Sequence, residues 1–200
     1  MTARERRARE KAAVREAILD AAIDIANAGG WEDVTIRAVS ARIEYSLTII
    51  YQHFDSKDGI RLELLRRGFA QLAEALEAAD QPEAPPAERI ALLAQTYFEF
   101  GTGNQALYQI MHGLAGVPFG AERAPPEAHA SFLALRKPFL VAGTGKSALQ
   151  DVDRKVELYW AQLHGLVTLT LNGRIAEGTE HARTLLGELA LMHASNAVRG

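Results

Sequence analysis

Cysteine is absent from this chain of 200 residues. That absence removes a disulfide framework, thiolate metal sites and redox sensing through a thiol, and it accords with a reducing cytoplasm. Long apolar runs are missing too. The longest late in the chain, Leu166 to Leu171, falls well below the roughly 20 residues that span a bilayer, so no membrane partner is expected. The start, Met1-Thr2-Ala3-Arg4, runs on in charged residues without the apolar segment of a secretory signal, and a soluble cytoplasmic protein is the expectation. Catalytic signatures are equally scarce. No His-Glu-x-x-His and no Gly-x-Ser-x-Gly occurs, and the six histidines (53, 112, 129, 164, 181 and 193) show no close metal-ligand spacing. Gly143-Thr144-Gly145-Lys146-Ser147 is shaped like part of a phosphate-binding loop, but Leu140 stands where that loop needs glycine, and the segment reads as a Gly-rich connection between helices. No enzyme, metal or cofactor is expected.

Net charge is small, −3 overall, and hides an asymmetry. Residues 1 to 15 hold six basic side chains (Arg4, Arg6, Arg7, Arg9, Lys11, Arg15) against Glu5 and Glu10, whereas from Gly68 onward 10 basic residues face 14 acidic ones. A basic arm on an acidic body suits a polyanion at one end; a solvated tail is the plainer reading of the same charges.

What is abundant is helix-forming sequence. Ala, Leu, Glu, Gln and Arg recur at helical spacing almost throughout, while alternating β-branched residues are few, so the chain reads as all-α. The first helix is expected over Arg9 to Ala28, with Val14, Ile18, Ala21, Ala22 and Ile25 as its apolar stripe and Gly29-Gly30 as its stop. Two short helices follow. Thr35 caps the one carrying Ile36, Val39 and Ile43; Ser46 caps the one carrying Leu47, Ile50 and Phe54. A fourth helix begins after Asp55-Ser56 and runs through Leu76 to the proline-rich stretch 81–86, where proline breaks the pattern. Further helices are expected near Ala87 to Gly101, Asn104 to Ala115, Pro126 to Ala142, Asp151 to Asn172 and Glu177 to Ala197. The division is a small N-terminal module over 1–58 and a larger helical body over 59–200.

Two short helices joined by a tight turn, behind a longer first helix, form a unit that lays its second helix in a DNA major groove. In that geometry Thr35, Ser46, Thr48, Tyr51, His53 and Lys57 lie where phosphates pass, and hydroxyl, backbone N–H and ammonium groups suit phosphates. Tyr51 fits a core role as well, since its ring can pack while its hydroxyl reaches outward.

The runs Ile18-Leu19-Asp20-Ala21-Ala22, Thr35-Ile36-Arg37 and Ile50-Tyr51-Gln52-His53-Phe54-Asp55-Ser56-Lys57-Asp58 resemble the tetracycline-repressor-like (TetR) family over roughly the first 65 residues. The resemblance implies an all-α homodimer whose first three helices bind an operator in double-stranded DNA and whose remainder binds a small-molecule inducer and the partner subunit. Arg37 of the first short helix, with Tyr45, Leu47 and Ile49 around the turn and the head of the second, complete the candidate DNA-binding positions. Tyr159-Trp160-Ala161-Gln162-Leu163-His164-Gly165-Leu166-Val167 resembles the C-terminal class of these regulators named for Trp, His and Gly. The chain departs from the family at the turn, where Glu44 and Tyr45 replace glycine and a small apolar residue. It departs again at the head of the recognition helix, where Leu47-Thr48-Ile49 stands for Lys-Gly-Thr. Such a head is suited to thymine methyl groups through Ile49 or Leu47.

In the body, Tyr97, Phe100, Tyr108, Met111, His112, Phe132, Trp160 and His164 are candidates to line an apolar ligand site, and the same residues fit a packed core. Trp160 and His164, four apart, share a helix face. Val152, Val156, Leu163, Leu166 and Leu171 on one late helix, and Leu185, Leu186, Leu189 and Met192 on the other, make broad apolar faces that an isologous contact between two chains would cover. The combined expectation is a repressor released from its operator by a small apolar or aromatic ligand. A helical carrier of small molecules or lipids without DNA binding is the alternative.

Overall fold

A computed structural model describes residues 2–113, 124–140 and 146–198. Among these are nine α-helices and no strand: α1 (Ala3–Gly29), α2 (Ile36–Arg42), α3 (Leu47–Tyr51), α4 (Lys57–Ala79), α5 (Pro86–Gly103), α6 (Gln105–Met111), α7 (Pro126–Arg136), α8 (Lys146–Leu171) and α9 (Gly178–Val198). The expected all-α class is what the chain adopts. Residues 143–145 of the Gly-rich segment lie outside the described residues, as do Ala115 and Ala142, where two helices were expected to end.

Local chemistry explains the boundaries. Helix α1 starts six residues before the expected Arg9 because Thr2 and Glu5 close a capping box: the Thr2 hydroxyl oxygen accepts from the Glu5 N–H, and the Glu5 carboxylate accepts from the Thr2 N–H. The basic arm is therefore helical. At the other end Gly30 takes φ 91°, open to glycine and costly for other residues, and donates its N–H to the Ala26 carbonyl. Helix α7 ends at Arg136 rather than running to Ala142. Pro138 lacks the N–H that an α-helix needs, and the chain passes through a 3₁₀ turn over Lys137–Phe139.

The chain forms two compact units that are not consecutive in sequence. One holds the described residues up to Gly68 together with α6; the other holds Phe69–Asn104 and the described residues from Ala124 on. Helix α4 thus contributes its first half to one and its second half to the other. In the first unit the core is Ile18, Leu19 and Ala22 of α1, Trp31, Val34, Val39 of α2, Ile50 of α3, Phe54, and Ile60, Leu64 and Leu65 of α4, all buried. Leu107 and Met111 of α6 come so close to α4 that a Cβ on Gly68 would lie 2.6 Å from the Met111 sulfur. A methyl group has no room there.

In the second unit α5 is the central helix, packed on both α8 and α9. Its buried Ile90, Leu93, Ala94, Tyr97 and Phe98 meet a core that includes Val156, Tyr159, Leu163 and Val167 of α8 and Ala182, Leu186 and Ala190 of α9. The Tyr159 hydroxyl donates to the Ile90 carbonyl at 2.6 Å. Burial pushes its pKa up, so the phenol stays protonated and donating. Arg89 grips Asp80 through two hydrogen bonds of 2.7 and 2.8 Å, and Arg136 pairs with Asp153, Lys137 with Glu77 and Arg183 with Glu99.

Candidate nucleic-acid interface

Helices α2 and α3 are short, seven and five residues, too short to persist without outside support. Side-chain caps supply part of it. Thr35 Oγ1 accepts from the Ala38 N–H at 3.0 Å and Ser46 Oγ from the Ile49 N–H at 3.4 Å. Each cap uses a hydroxyl oxygen as acceptor, so the hydroxyl proton can still be donated to a phosphate.

The turn between them is held by Ser40, whose hydroxyl donates to the Tyr45 carbonyl and whose carbonyl accepts from the Tyr45 N–H at 3.2 Å. Glu44 sits in the left-handed region at φ 58°. This is the conformation for which glycine is the usual choice, and a side chain there costs on the order of 1 kcal/mol.

Behind α3, three side chains reach backbone carbonyls of other segments. Arg15 of α1 donates to the His53 carbonyl at 3.2 Å, pairs with Glu63 of α4 at 3.0 Å, and lies over the Phe54 ring at 4.4 Å. Lys57 donates to the Trp31 carbonyl at 2.8 Å, and the Trp31 indole N–H donates to the Ala106 carbonyl of α6 at 3.0 Å. Arg15, counted from sequence in the basic arm, thus works inward. Lys57, expected at a phosphate, has its ammonium group on a carbonyl. Partial burial, then the positive charges of Lys11 and Arg15, lowers the pKa of His53. The imidazole is therefore neutral near pH 7, and Lys11 and Arg15 bring positive potential to this corner of the unit.

The face of α3 turned away from the core is exposed. Tyr45, Leu47 and Tyr51 are 44, 40 and 53% accessible, and Thr48 is exposed with them, while Ile50 is buried and Ile49 half-buried. From Tyr45 to Gln52 no side chain is charged. Arg37 on α2 is exposed, and Arg42 pairs with Asp24 at 3.2 Å.

The eight residues singled out for a ligand site do not share one unit. Tyr108, Met111 and His112 belong to the first, where Tyr108 and Met111 are fully buried and His112 stacks on Tyr108 at 4.2 Å. Tyr97, Phe100, Phe132, Trp160 and His164 belong to the second, where the Trp160 indole donates to the Tyr97 hydroxyl at 3.1 Å. Trp160 is exposed and His164 half-buried, with burial lowering the His164 pKa. The apolar faces of α8 and α9 also divide differently from expectation. Val152, Val156, Leu163, Leu166 and Leu186 are consumed inside the unit, and the outward residues are Leu158 and Leu169 of α8 with Leu191 and Met192 of α9.

Sequence reasoning passed over Trp31, Ser40 and the anchoring role of Arg15. A lone tryptophan between two helices was the available signal for the first. Nothing in the sequence marks the others, because the partners of Ser40 and Arg15 include backbone carbonyls and, for Arg15, a carboxylate 48 residues away.

Two family models match the chain: bacterial regulatory proteins of the tetR family over residues 18–64, and the tetracyclin repressor-like C-terminal domain over residues 90–192. The HTH-type transcriptional repressor KstR of Rhodococcus jostii is 33% identical over 79 residues, 40% of this chain and 36% of that protein. Its Mycobacterium tuberculosis counterpart is 33% identical over 76 residues, 38% of this chain and 34% of that protein. The matched region is thus about a third of these curated relatives' length. Among solved structures, a protein of unknown function from Rhodococcus sp. RHA1 superposes with a TM-score of 0.71 at 22% identity, covering 93% of this chain and 94% of the other. A TetR-like transcriptional regulator from the same source gives 0.62 at 19% identity, with 89% and 94% covered. At these identities the likeness establishes the fold.

Proposed function

This chain belongs to the tetR family of bacterial regulatory proteins, and from that membership we propose that it is a transcriptional repressor that binds a palindromic operator as a homodimer and leaves it when a small apolar or aromatic molecule binds the helical body. The observation that carries the reading is α3 itself. This five-residue helix buries Ile50 alone, is tied at its two ends by Ser40 on the Tyr45 carbonyl and Arg15 on the His53 carbonyl, and leaves Tyr45, Leu47, Thr48 and Tyr51 exposed. Such effort to fix a surface is what insertion into a major groove requires. Thr35 and Ser46 supply hydroxyl protons to phosphates, Tyr51 its phenol, and Arg37 and His53 flank them.

Leu158, Leu169, Leu191 and Met192 form the apolar surface through which a second copy docks, placing two recognition helices about 34–36 Å apart, one DNA turn. The ligand acts through its different affinity for the DNA-competent and DNA-incompetent states. Footprinting of the purified protein on genomic DNA tests the core of this reading. A palindromic protected site is expected, with affinity falling roughly a thousandfold between 50 and 200 mM salt if about six phosphates are neutralised. Affinity that does not change with salt would contradict it.

A further inference from the structure

The outward face of α3 has an unusual composition for a base reader. In the major groove guanine is read by Arg or Lys, adenine by Asn or Gln, and cytosine by Asp or Glu, whereas the C5-methyl group of thymine is read by apolar contact. Tyr45 to Tyr51 contains none of the six polar types named. Ser46 has its oxygen engaged as the helix cap, and two cations of the same unit are turned elsewhere, Arg42 toward Asp24 and Lys57 toward the Trp31 carbonyl. At the head of the helix the exposed groups are the isobutyl group of Leu47 and the methyl and hydroxyl of Thr48. Ile49 is half-buried and Ile50 buried, so of the apolar residues at this head Leu47 is the one presented.

We propose that Leu47 reads thymine through its C5-methyl group, so that this protein's base specificity at the head of α3 is apolar. The proposal rests on the DNA-binding reading above. Charge complementarity supplies the remaining argument for duplex DNA as the occupant, because Arg37 of α2 is exposed and Lys11 brings positive potential to His53, two residues beyond Tyr51. A protein partner docking on Tyr45, Leu47 and Tyr51 would have no need of those cations.

The test uses the full chain and an operator duplex recovered by selection from random sequence. Each thymine is replaced in turn by uracil, which removes the methyl group and keeps every hydrogen-bonding group. At one thymine in each half-site affinity is expected to fall about fourfold, the equivalent of one buried methylene, and about sixteenfold when both are replaced. Leu47→Ala should lose a similar factor and become indifferent to uracil there, with its salt dependence and helicity unchanged because Leu47 is exposed and alanine favours the helix. At the same position 5-methylcytosine should bind more tightly than cytosine. If the duplex is held equally well with uracil throughout, or if Leu47→Ala stays as sensitive to uracil as the native chain, the proposal is overturned while DNA binding stands. Failure to select any duplex overturns both.

Discussion

The two units solve the same problem, fixing helices against one another, by different means. In the second unit the helices are long, and apolar stripes do the work: α5 packs on both α8 and α9, and ion pairs such as Arg89–Asp80 and Arg136–Asp153 tie segments together. In the first unit two helices of seven and five residues bury little. Their positions depend on side chains that grip backbone carbonyls: Arg15 on His53, Lys57 on Trp31, Trp31 on Ala106 and Ser40 on Tyr45. Short helices cannot bury enough apolar area to hold their own orientation, so polar anchors substitute for packing. The outward surfaces contrast as well. That of α3 presents Tyr45, Leu47, Thr48 and Tyr51, and that of α8 and α9 presents Leu158, Leu169, Leu191 and Met192.

The contrast can be broken most severely at Trp31. Truncation to alanine removes a large buried ring together with the α6 anchor and should cost about 3–5 kcal/mol. Hydrogen exchange is the measurement: α2 and α3 should lose protection while α5 and α9 keep theirs, and equal loss everywhere would mean that the units do not differ as described. The counterpart in the second unit is Asp80, whose side chain is 4% exposed and neutralises an Arg89 side chain that is 14% exposed. Asp80→Ala strands that cation and should cost about 3 kcal/mol in denaturant unfolding. The Arg89 hydrogen bond holds the Asp80 pKa below the usual carboxylate range, so this contribution is present above the ordinary aspartate pKa and is lost as pH falls through the depressed one. A variant whose acid unfolding matches the native chain would refute that assignment.

Smaller changes sharpen the comparison. Tyr159→Phe removes the phenol donor from the Ile90 carbonyl and should cost about 1 kcal/mol by the same unfolding measurement, with DNA affinity unaltered. Glu44→Gly relieves the left-handed turn and should stabilise the first unit by roughly 0.5–1 kcal/mol, read as a higher melting temperature. Acidification is a further probe. Burial lowers the pKa values of His164 and His193 in the second unit; in the first, burial and then the positive charges of Lys11 and Arg15 lower that of His53. Between the ordinary imidazole pKa and these lowered ones the unfolded chain binds more protons, so stability should fall as pH drops through about 6.5. His193→Gln should flatten that dependence.

The sequence made the all-α class, the order of helices and both hydroxyl caps legible, because periodicity and capping are local. It was less informative wherever a side chain has a choice of partner. Lys57 and Arg15 carry the charge expected of phosphate contacts, and only the folded chain shows carbonyls claiming them. Periodicity marked α8 and α9 as apolar on broad faces but could not tell which stripe, Val156 and Leu163 or Leu158 and Leu169, the unit keeps for itself. The start of α1 was legible in principle, because Thr2-x-x-Glu5 is a capping box. The placement of α6 with the first unit rests on contacts distant in sequence, such as Met111 against Gly68, which no local pattern announces.

The two tryptophans fall one to each unit. Trp31 is 5% exposed with its indole N–H bonded to a carbonyl, and Trp160 is 39% exposed with its indole N–H on a phenol. Nature has thereby placed one fluorophore in each half of the protein, in environments that a soluble quencher will distinguish. A Trp160→Phe chain would emit from the helix-turn-helix alone, and a Trp31→Phe chain from the body alone. The arrival of DNA and the arrival of a ligand could then be watched as separate optical events in one molecule.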